Sequence, residues 1–195
     1  MALGFPDASN GYEENAEIFM ASRNPRIGVA TVLEWSESLP HGASILDLGC
    51  GSGVPISQVL VEGGFAVHGV DASPRMIAAF RQRFPTAPAE CAEVAHSTFL
   101  NRNFDAVIAW GLLFLLPADA QASVIGKVAR ALNGGGKFVF TAPREALRCR
   151  DVLTERESIS LGYEQYLQLL HDAGLALTGE ASDEGENHYY MASKP

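Results

Sequence analysis

The chain has 195 residues, 47% of them apolar and 19% charged, which is typical of one globular domain with a sizeable core. Its 14 basic and 23 acidic residues give a net charge of −9, which disfavours nucleic acid as a partner because the phosphate backbone is repelled by such a surface. No apolar run reaches the roughly 20 residues of a membrane span, and the first residues lack a secretory signal, so we expect a cytoplasmic protein. Cys50, Cys91 and Cys149 lack disulfide or zinc spacing, so we expect no bound metal.

Two helices are predicted before the first strand. One covers Tyr12–Ser22, and Asn24 and Pro25 begin the other, because proline favours the first turn of a helix. The first helix has an apolar face made of Tyr12, Ala16, Phe19 and Met20. We expect residues 1–39 to form a helical cap over the sheet or over a ligand.

Residues 40–195 predict an α/β core, because short apolar runs alternate with helical patterns. Ser73 and Pro74 begin a helix that continues to Arg83, and Pro117 begins one that ends at the glycines after Asn133. A further helix covers residues 163–173. Strands are predicted at residues 43–48, 65–70, 87–91, 105–110 and 136–142, and at 175–178 and 188–191 as a terminal antiparallel pair. No repeat or linker divides the chain, so a single domain is expected over residues 1–195.

A glycine-rich loop follows the first predicted strand, in the sequence Asp47-Leu48-Gly49-Cys50-Gly51-Ser52-Gly53. Such a loop lets the backbone approach a nucleotide-like ligand closely at a helix N-terminus. It does not match the dinucleotide pattern G-x-G-x-x-G, because Val54 stands where the last glycine would be, and it lacks the Gly-Lys-Ser/Thr of a phosphate loop. The negative charge expected of Asp47 suits a ligand with an ammonium or sulfonium group better than a pyrophosphate.

The second predicted strand leads into Asp71, 22 residues after Gly49. A carboxylate at this point can accept two hydrogen bonds from the hydroxyls of a ribose. The alternative is that the glycines form only a tight turn and that Asp71 only caps the helix beginning near Ser73.

Three features together resemble class I S-adenosylmethionine-dependent methyltransferases. They are the motif Asp47-x-Gly49-x-Gly51-x-Gly53, the carboxylate Asp71, and the pair Phe104-Asp105 at the start of the fourth strand. The resemblance covers residues 40–145. It implies a three-layer sandwich around a seven-stranded, mostly parallel sheet of order 3-2-1-4-5-7-6, with strand seven antiparallel. It also implies S-adenosylmethionine as the cofactor, bound over the carboxyl ends of strands one and two.

The resemblance further implies which residues contact the cofactor. Glu93 would face the adenine amino group, with Glu90 as a nearby alternative, and Trp110 would lie beside the methionine part and the transferred methyl group. The implied cofactor-binding residues are Asp47, Gly49, Cys50, Gly51, Gly53, Asp71, Ala72, Glu93, Val94 and Trp110. The Asn/Asp-Pro-Pro-aromatic motif of enzymes that methylate adenine in nucleic acid is absent after the fourth strand.

Methyl transfer from a sulfonium mainly requires a collinear acceptor in a site that excludes water, with a base only where the acceptor keeps a proton. No catalytic motif is therefore needed, and His188 and Tyr12 are the candidate catalytic residues. His96 and His171 are weaker alternatives, and His41 and His68 are expected to be structural. The acceptor is expected to contact Tyr12, Trp110 and Arg144. The helix with Tyr12 and Arg23 either folds over the cofactor as a lid or packs on the sheet.

The sequence thus predicts a methyltransferase that acts on a small molecule. A protein side-chain methyltransferase and a regulatory protein that holds the cofactor without transfer are the alternatives. Val54 and Asp47 disfavour a nicotinamide-dependent oxidoreductase. The acceptor atom and the oligomeric state are not predicted.

Overall fold

The computed structural model of the protein describes residues 8–195. α-Helices occupy Ala16–Ser22 (α1), Val29–Ser36 (α2), Ile56–Glu62 (α3), Pro74–Arg83 (α4), Ala118–Ala131 (α5) and Tyr163–Asp172 (α6). Strands occupy Ser44–Leu48 (β1), Ala66–Asp71 (β2), Ala89–Cys91 (β3), Phe104–Ala109 (β4), Leu132–Thr141 (β5), Leu147–Arg150 (β6), Glu157–Ser160 (β7), Ala176–Ser182 (β8) and His188–Ser193 (β9). Short 3-10 turns occupy Phe99–Asn101 and Leu113–Leu115.

Within the described residues, seven strands form one sheet in the order β3-β2-β1-β4-β5-β9-β8. The strands from β3 to β5 are parallel, whereas β9 runs antiparallel to both β5 and β8. With β6 and β7 set aside as a separate hairpin, this is the predicted order 3-2-1-4-5-7-6 with an antiparallel last strand. Because the chain crosses from β1 to β2 on one side and to β4 on the other, a crevice forms at the carboxyl end of β1.

Side chains of the central strands alternate between two apolar clusters, one on each face of the sheet. Leu46 and Leu48 of β1 belong to one cluster and Ile45 to the other. Helices α5 and α6 cover the first face, and α2, α3 and α4 cover the second. The predicted three-layer sandwich is confirmed, since a parallel sheet needs helices on both faces to bury its apolar strands.

The N-terminal segment differs from its predicted helices. Helix α1 begins at Ala16 rather than at Tyr12, because Asn10 and Gly11 have left-handed φ angles of 53° and 88° that turn the chain first. Helix α2 begins at Val29, after Gly28 at φ 79°, and packs against the sheet instead of capping a ligand. The prediction that the cap includes residues 1–7 lies outside the described residues.

After β4, one prediction was wrong and one element was not predicted. The glycines at 134–136 do not end α5, which stops at Ala131; they lie within β5, where the register against β4 shifts between Phe104 and Ala106. The hairpin of β6 and β7 was missed, because its first strand is fully exposed and carries no alternating apolar pattern.

Candidate cofactor and acceptor site

A cavity of about 210 Å³ lies at the carboxyl ends of β1, β2 and β4. The glycine loop and the end of β2 form one part of its wall, and the residues after β3 and β4 form another. The N-terminal segment and the β6–β7 hairpin contribute the rest of the lining. Of the residues predicted to bind the cofactor, the cavity is lined by Asp47, Gly49, Cys50, Gly51, Asp71, Ala72, Glu93, Val94 and Trp110.

The glycine loop is fastened to the end of β2 by backbone hydrogen bonds. The amides of Gly49 and Cys50 both donate to the carbonyl oxygen of Val70, over 2.8 and 3.1 Å. Gly51 has a φ of 53°. A Cβ atom placed on it would lie 3.9 Å from the Sδ of Met76 and 4.0 Å from the Cε1 of Phe19, its nearest neighbours among the described residues. Gly51 therefore presents bare backbone to the cavity, as a loop that cradles a ligand must.

Gly53 has a different role from the one predicted, since it does not line the cavity. A Cβ atom on Gly53 would lie 2.4 Å from Cε2 of Phe84 and 3.0 Å from Cδ2 of Phe80. The residue must be small so that the loop can pack against α4 and the residue that follows it.

Asp71 is half-buried at the edge of the cavity and is held in place by two backbone amides. Its Oδ2 accepts from the amide of Gly51 over 2.9 Å, and its Oδ1 accepts from the amide of Ser73 over 2.8 Å. Burial raises the pKa of Asp71. A carboxylate offers about four acceptor positions, so each oxygen keeps capacity for a ribose hydroxyl. The helix cap of α4 is a separate residue, Ser73, whose Oγ accepts from the amide of Met76.

Glu93 and Glu90 are distinguished by their contacts. Glu90 accepts hydrogen bonds from the hydroxyl of Ser97 and from the amides of Thr98 and Leu100, so it holds the loop after β3 together and does not line the cavity. Glu93 lines the cavity, and its Oε2 lies 2.8 Å from Nδ1 of the exposed His96. Of the two alternatives, Glu93 is the one in a position to face an adenine.

Asp47 is not the freely charged group that the sequence suggested. It is 2% exposed and accepts a hydrogen bond from the hydroxyl of Ser57. Burial raises the pKa of Asp47 to about 7, so the carboxyl is partly protonated near neutral pH. Cys50 beside it is a packing residue, because a Cβ atom on Gly69 would lie only 2.7 Å from its Sγ, and burial raises the pKa of the Cys50 thiol.

Trp110 forms one wall of the cavity and is held by a polar chain. Its Nε1 donates to the hydroxyl of Tyr189, which donates to Oδ2 of Asp183 over 2.8 Å. Gly28 is packed so closely against this chain that a Cβ atom there would lie 2.6 Å from the hydroxyl of Tyr189. The ring of Trp110 is therefore fixed in orientation by the terminal strand pair, an arrangement that no local sequence pattern indicates.

Tyr12 links the N-terminal segment to the hairpin that the sequence did not predict. Its hydroxyl donates to Oδ2 of Asp151 over 3.0 Å, and both residues line the cavity. Burial and the neighbouring carboxylate of Asp151 raise the pKa of Tyr12, so it serves as a hydrogen-bond donor rather than as a base. Nearby, Glu13 accepts from the hydroxyl of Ser73 and from the amide of Arg75, which fastens the segment to the start of α4.

The other predicted residues lie away from the cavity. Arg144 is paired with Glu180 and lies over the ring of Tyr163, and His188 packs beside Glu180 and Tyr190. Among the described residues that line the cavity, none is a histidine. The remaining histidines, His41, His68, His96 and His171, are also outside the lining.

In the part of the chain that the structure describes, no three His, Cys, Asp or Glu side chains come close enough to hold a metal ion. No helix among these residues is long and apolar enough to cross a membrane.

Known proteins share part of this sequence and most of this fold. Residues 45–136 match a family model described as "Methyltransferase domain". The tRNA U34 carboxymethyltransferase of Hahella chejuensis is 34% identical over 118 residues, which make up 55% of this chain and 36% of that protein. The chain spans 22% to 36% of the length of the curated relatives it matches.

Two solved structures show the same architecture along nearly the whole chain. The CcbJ methyltransferase of Streptomyces caelestis superimposes with a TM-score of 0.77 at 16% identity, covering 97% of this chain and 98% of that one. CalS10, an amino pentose methyltransferase of Micromonospora echinaspora solved with S-adenosylmethionine, gives a TM-score of 0.70 at 17% identity, with 93% and 96% covered.

Residues 45–136 match a methyltransferase domain, and the sheet has the strand order of the class I S-adenosylmethionine-dependent methyltransferase fold, as the motifs predict. S-adenosylmethionine is the cofactor of this class, and the cavity fits it: an open backbone cradle at Gly51, acceptor capacity at Asp71, and a carboxylate at Glu93.

Proposed function

We propose that this chain transfers a methyl group from S-adenosylmethionine to a small-molecule acceptor. The observation that carries the proposal is the cover over the cavity. The N-terminal segment and the β6–β7 hairpin meet there through the hydrogen bond between Tyr12 and Asp151. A cavity walled by both segments suits an acceptor small enough to enter it, and closure of these segments over bound ligands would exclude water from the reacting groups.

The residues of the chain have distinct parts in this proposal. Asp71 binds the ribose hydroxyls, Glu93 and Val94 face the adenine, and Gly51 allows the backbone close approach. When bound, the cofactor supplies an electrophilic methyl group on a sulfonium. Trp110 and Tyr12 orient the acceptor against it, so the proposed transfer depends mainly on positioning; no histidine is available as a base among the described residues of the lining.

The acceptor class is argued from the cavity, because the relatives act on different acceptors. One solved neighbour is named for an amino pentose, and one curated relative is named for a tRNA. The net charge of −9 disfavours RNA, since binding RNA requires neutralising its phosphates with basic side chains.

We also propose that the protein is located in the cytoplasm. The cysteines Cys50, Cys91 and Cys149 are all unpaired, which suits a reducing compartment.

The proposal is tested by incubating the purified protein with methyl-labelled S-adenosylmethionine and, separately, with the small-molecule, protein and RNA fractions of a cell extract. We expect label in the small-molecule fraction only. Label in the protein or RNA fraction would contradict the acceptor class. Binding of S-adenosylhomocysteine without label in any fraction would favour a protein that holds the cofactor without transfer.

The N-terminal segment is expected to act as a lid. Hydrogen exchange of the backbone amides in residues 10–23 should slow when S-adenosylhomocysteine binds, because the ligand fills the space beneath the segment and restricts its opening. The measurement is exchange by mass spectrometry with and without the ligand, with α6 as the internal reference far from the cavity.

Tyr12→Phe provides the matched variant for this experiment. It removes only the hydroxyl that donates to Asp151, so the slowing should be smaller than in the unaltered protein. Exchange in residues 10–23 that is the same with and without ligand would show that the segment is merely packed on the sheet.

A further inference from the structure

The backbone and the side chain of Trp110 are fixed by separate contacts. The amide of Gly111, the next residue, donates to Oγ1 of Thr141 on β5 over 2.8 Å. The indole N–H of Trp110 donates instead to the hydroxyl of Tyr189, which lies opposite Thr141 in the pairing of β5 with β9. The orientation of the indole ring therefore depends on Tyr189, whereas the backbone at the end of β4 is fixed by Thr141.

The hydrogen bonds that join Trp110 to Asp183 through Tyr189 can run in only one direction. An ionised carboxylate only accepts, and an indole N–H only donates. Tyr189 donates to Oδ2 of Asp183 over 2.8 Å, so its hydroxyl oxygen is left to accept from Trp110. Burial and the hydrogen bond to Asp183 raise the pKa of Tyr189, so the hydroxyl keeps its proton at neutral pH. The carboxylate at one end thus decides what the hydroxyl offers to the indole at the other.

Asp183 is itself held by the turn between β8 and β9. Its Oδ1 accepts from the amides of Gly185 and Asn187, over 2.9 and 3.0 Å. The side-chain amide of Asn187 donates to the same oxygen over 3.0 Å. The turn therefore presents an oriented carboxylate to Tyr189, although it lies far from Trp110 in the sequence.

Gly28, the residue before α2, encloses this chain of hydrogen bonds. A Cβ atom on Gly28 would lie 2.6 Å from the hydroxyl of Tyr189 and 3.0 Å from Nε1 of Trp110. It would also lie 3.2 Å from Oδ2 of Asp183. The amide of Gly28 donates to Oε1 of Glu184, in the same turn as Asp183, over 3.2 Å. The enclosure leaves little room for another arrangement of the three side chains.

We propose that Tyr189 and Asp183 are positioning residues for the methyl transfer, an inference that rests on the proposed function. They hold the indole so that Trp110 meets the acceptor with its ring, since its one hydrogen-bond donor is already bound to Tyr189. The guanidinium of Arg23 stacks on this ring, with its Cζ 4.1 Å from the ring centre, and restricts it on that side. Transfer in line with a sulfonium tolerates little displacement of the acceptor, so a ring that turns should slow transfer more than it weakens cofactor binding.

The first measurement follows Trp110 directly and needs no acceptor. The chain has two tryptophans, so a nitrogen–proton NMR spectrum contains two indole N–H signals, and Trp35→Phe identifies the one that belongs to Trp110. In Tyr189→Phe the Trp110 signal should move upfield and its proton should exchange faster with water, because the N–H has lost its acceptor. The Trp35 signal should stay in place.

The second measurement compares label transfer with cofactor binding. Tyr189→Phe is incubated with saturating methyl-labelled S-adenosylmethionine and the small-molecule fraction of a cell extract, and calorimetry measures its affinity for S-adenosylhomocysteine. We expect transfer to fall roughly 10- to 100-fold and the affinity to stay unchanged.

Asp183→Asn tests the other end of the chain. Its amide keeps an oxygen for the turn but sets an NH₂ group against the hydroxyl of Tyr189, so it should show the same pattern to a smaller degree. It also replaces Tyr189→Phe if circular dichroism shows the latter unfolded.

Each variant has a control of the same chemistry beside it. Tyr190→Phe removes the hydroxyl of the next residue, which is buried and has no hydrogen-bond partner among residues 8–195. Glu186→Gln converts an exposed carboxylate of the same turn into an amide. Both controls should leave the Trp110 signal, the transfer of label and the affinity unchanged.

The proposal is wrong if the Trp110 signal does not respond to Tyr189→Phe, or if it responds and transfer does not fall. An equal loss of transfer and of affinity for S-adenosylhomocysteine would also contradict it, because the chain would then support the cofactor rather than the acceptor. An unaltered protein that transfers no label would contradict the proposed function instead, whereas the indole signals show separately whether Tyr189 holds Trp110.

Discussion

Asp71→Ala is expected to weaken the binding of S-adenosylhomocysteine roughly 30- to 1000-fold, as measured by calorimetry. In the proposed binding mode, the variant loses two hydrogen bonds from the ribose hydroxyls to a carboxylate, each worth about 1.5 to 3 kcal/mol before the site reorganises. It also releases the amide of Gly51, which Asp71 holds over 2.9 Å, so the glycine loop loses part of its support.

Asp105→Ala is the matched control for this loss. Asp105 accepts from the amide and the hydroxyl of Ser44 and from the side-chain amide of Asn133, and it does not line the cavity. Its removal should lower the melting temperature without changing ligand affinity at a temperature where the protein is folded. Unchanged affinity in a folded Asp71→Ala protein would remove Asp71 from the site.

Gly51→Val is expected to weaken cofactor binding at least 100-fold, to a level that is not detected. Each factor of ten in affinity corresponds to roughly 1.4 kcal/mol. Within residues 8–195, the nearest atom to a Cβ at this position is the Sδ of Met76, at 3.9 Å, so the branched side chain projects into the space that the ligand needs. The measurement is calorimetry with S-adenosylhomocysteine, and circular dichroism verifies the fold.

The left-handed φ of Gly51 has its own cost, about 1 to 2 kcal/mol for a residue with a side chain, and a control must separate it from the steric effect. Gly42→Val serves, since Gly42 has a φ of 72°, no described residue lies within 4 Å of its Cβ position, and it stands before β1, away from the cavity. It should destabilise the fold by a similar amount and bind the ligand normally. Tight binding by a folded Gly51→Val protein would show that the ligand does not approach the backbone at Gly51.

Local pattern was enough to predict much of the framework. The apolar runs predicted the positions of the strands, because a strand buried on both faces leaves a nearly continuous apolar sequence. The spacing from Gly49 to Asp71 likewise placed a carboxylate beside the glycine loop, since adjacent parallel strands end at the same edge of the sheet. The strand order came from the family resemblance rather than from these patterns.

The glycines of the loop differ in ways that the sequence pattern does not distinguish. Gly51 and Gly53 belong to one motif and look equivalent in the sequence, yet one faces the cavity and the other accommodates Phe80 and Phe84. A glycine pattern records that side chains are excluded, but not what excludes them. That depends on the helix packed against the loop.

The sequence by itself determined the fold class, the glycine loop and the carboxylate at Asp71 beside it, because each depends on residues close together in the chain or on the ends of neighbouring strands. Only the tertiary structure decided the rest of the site. It distinguished Glu93 from Glu90 by their partners, joined Tyr12 to Asp151 across 139 positions, and moved Arg144 and His188 away from the cavity. These outcomes depend on where the N-terminal segment and the β6–β7 hairpin settle, and contacts between distant, exposed segments leave no periodic signal in the sequence.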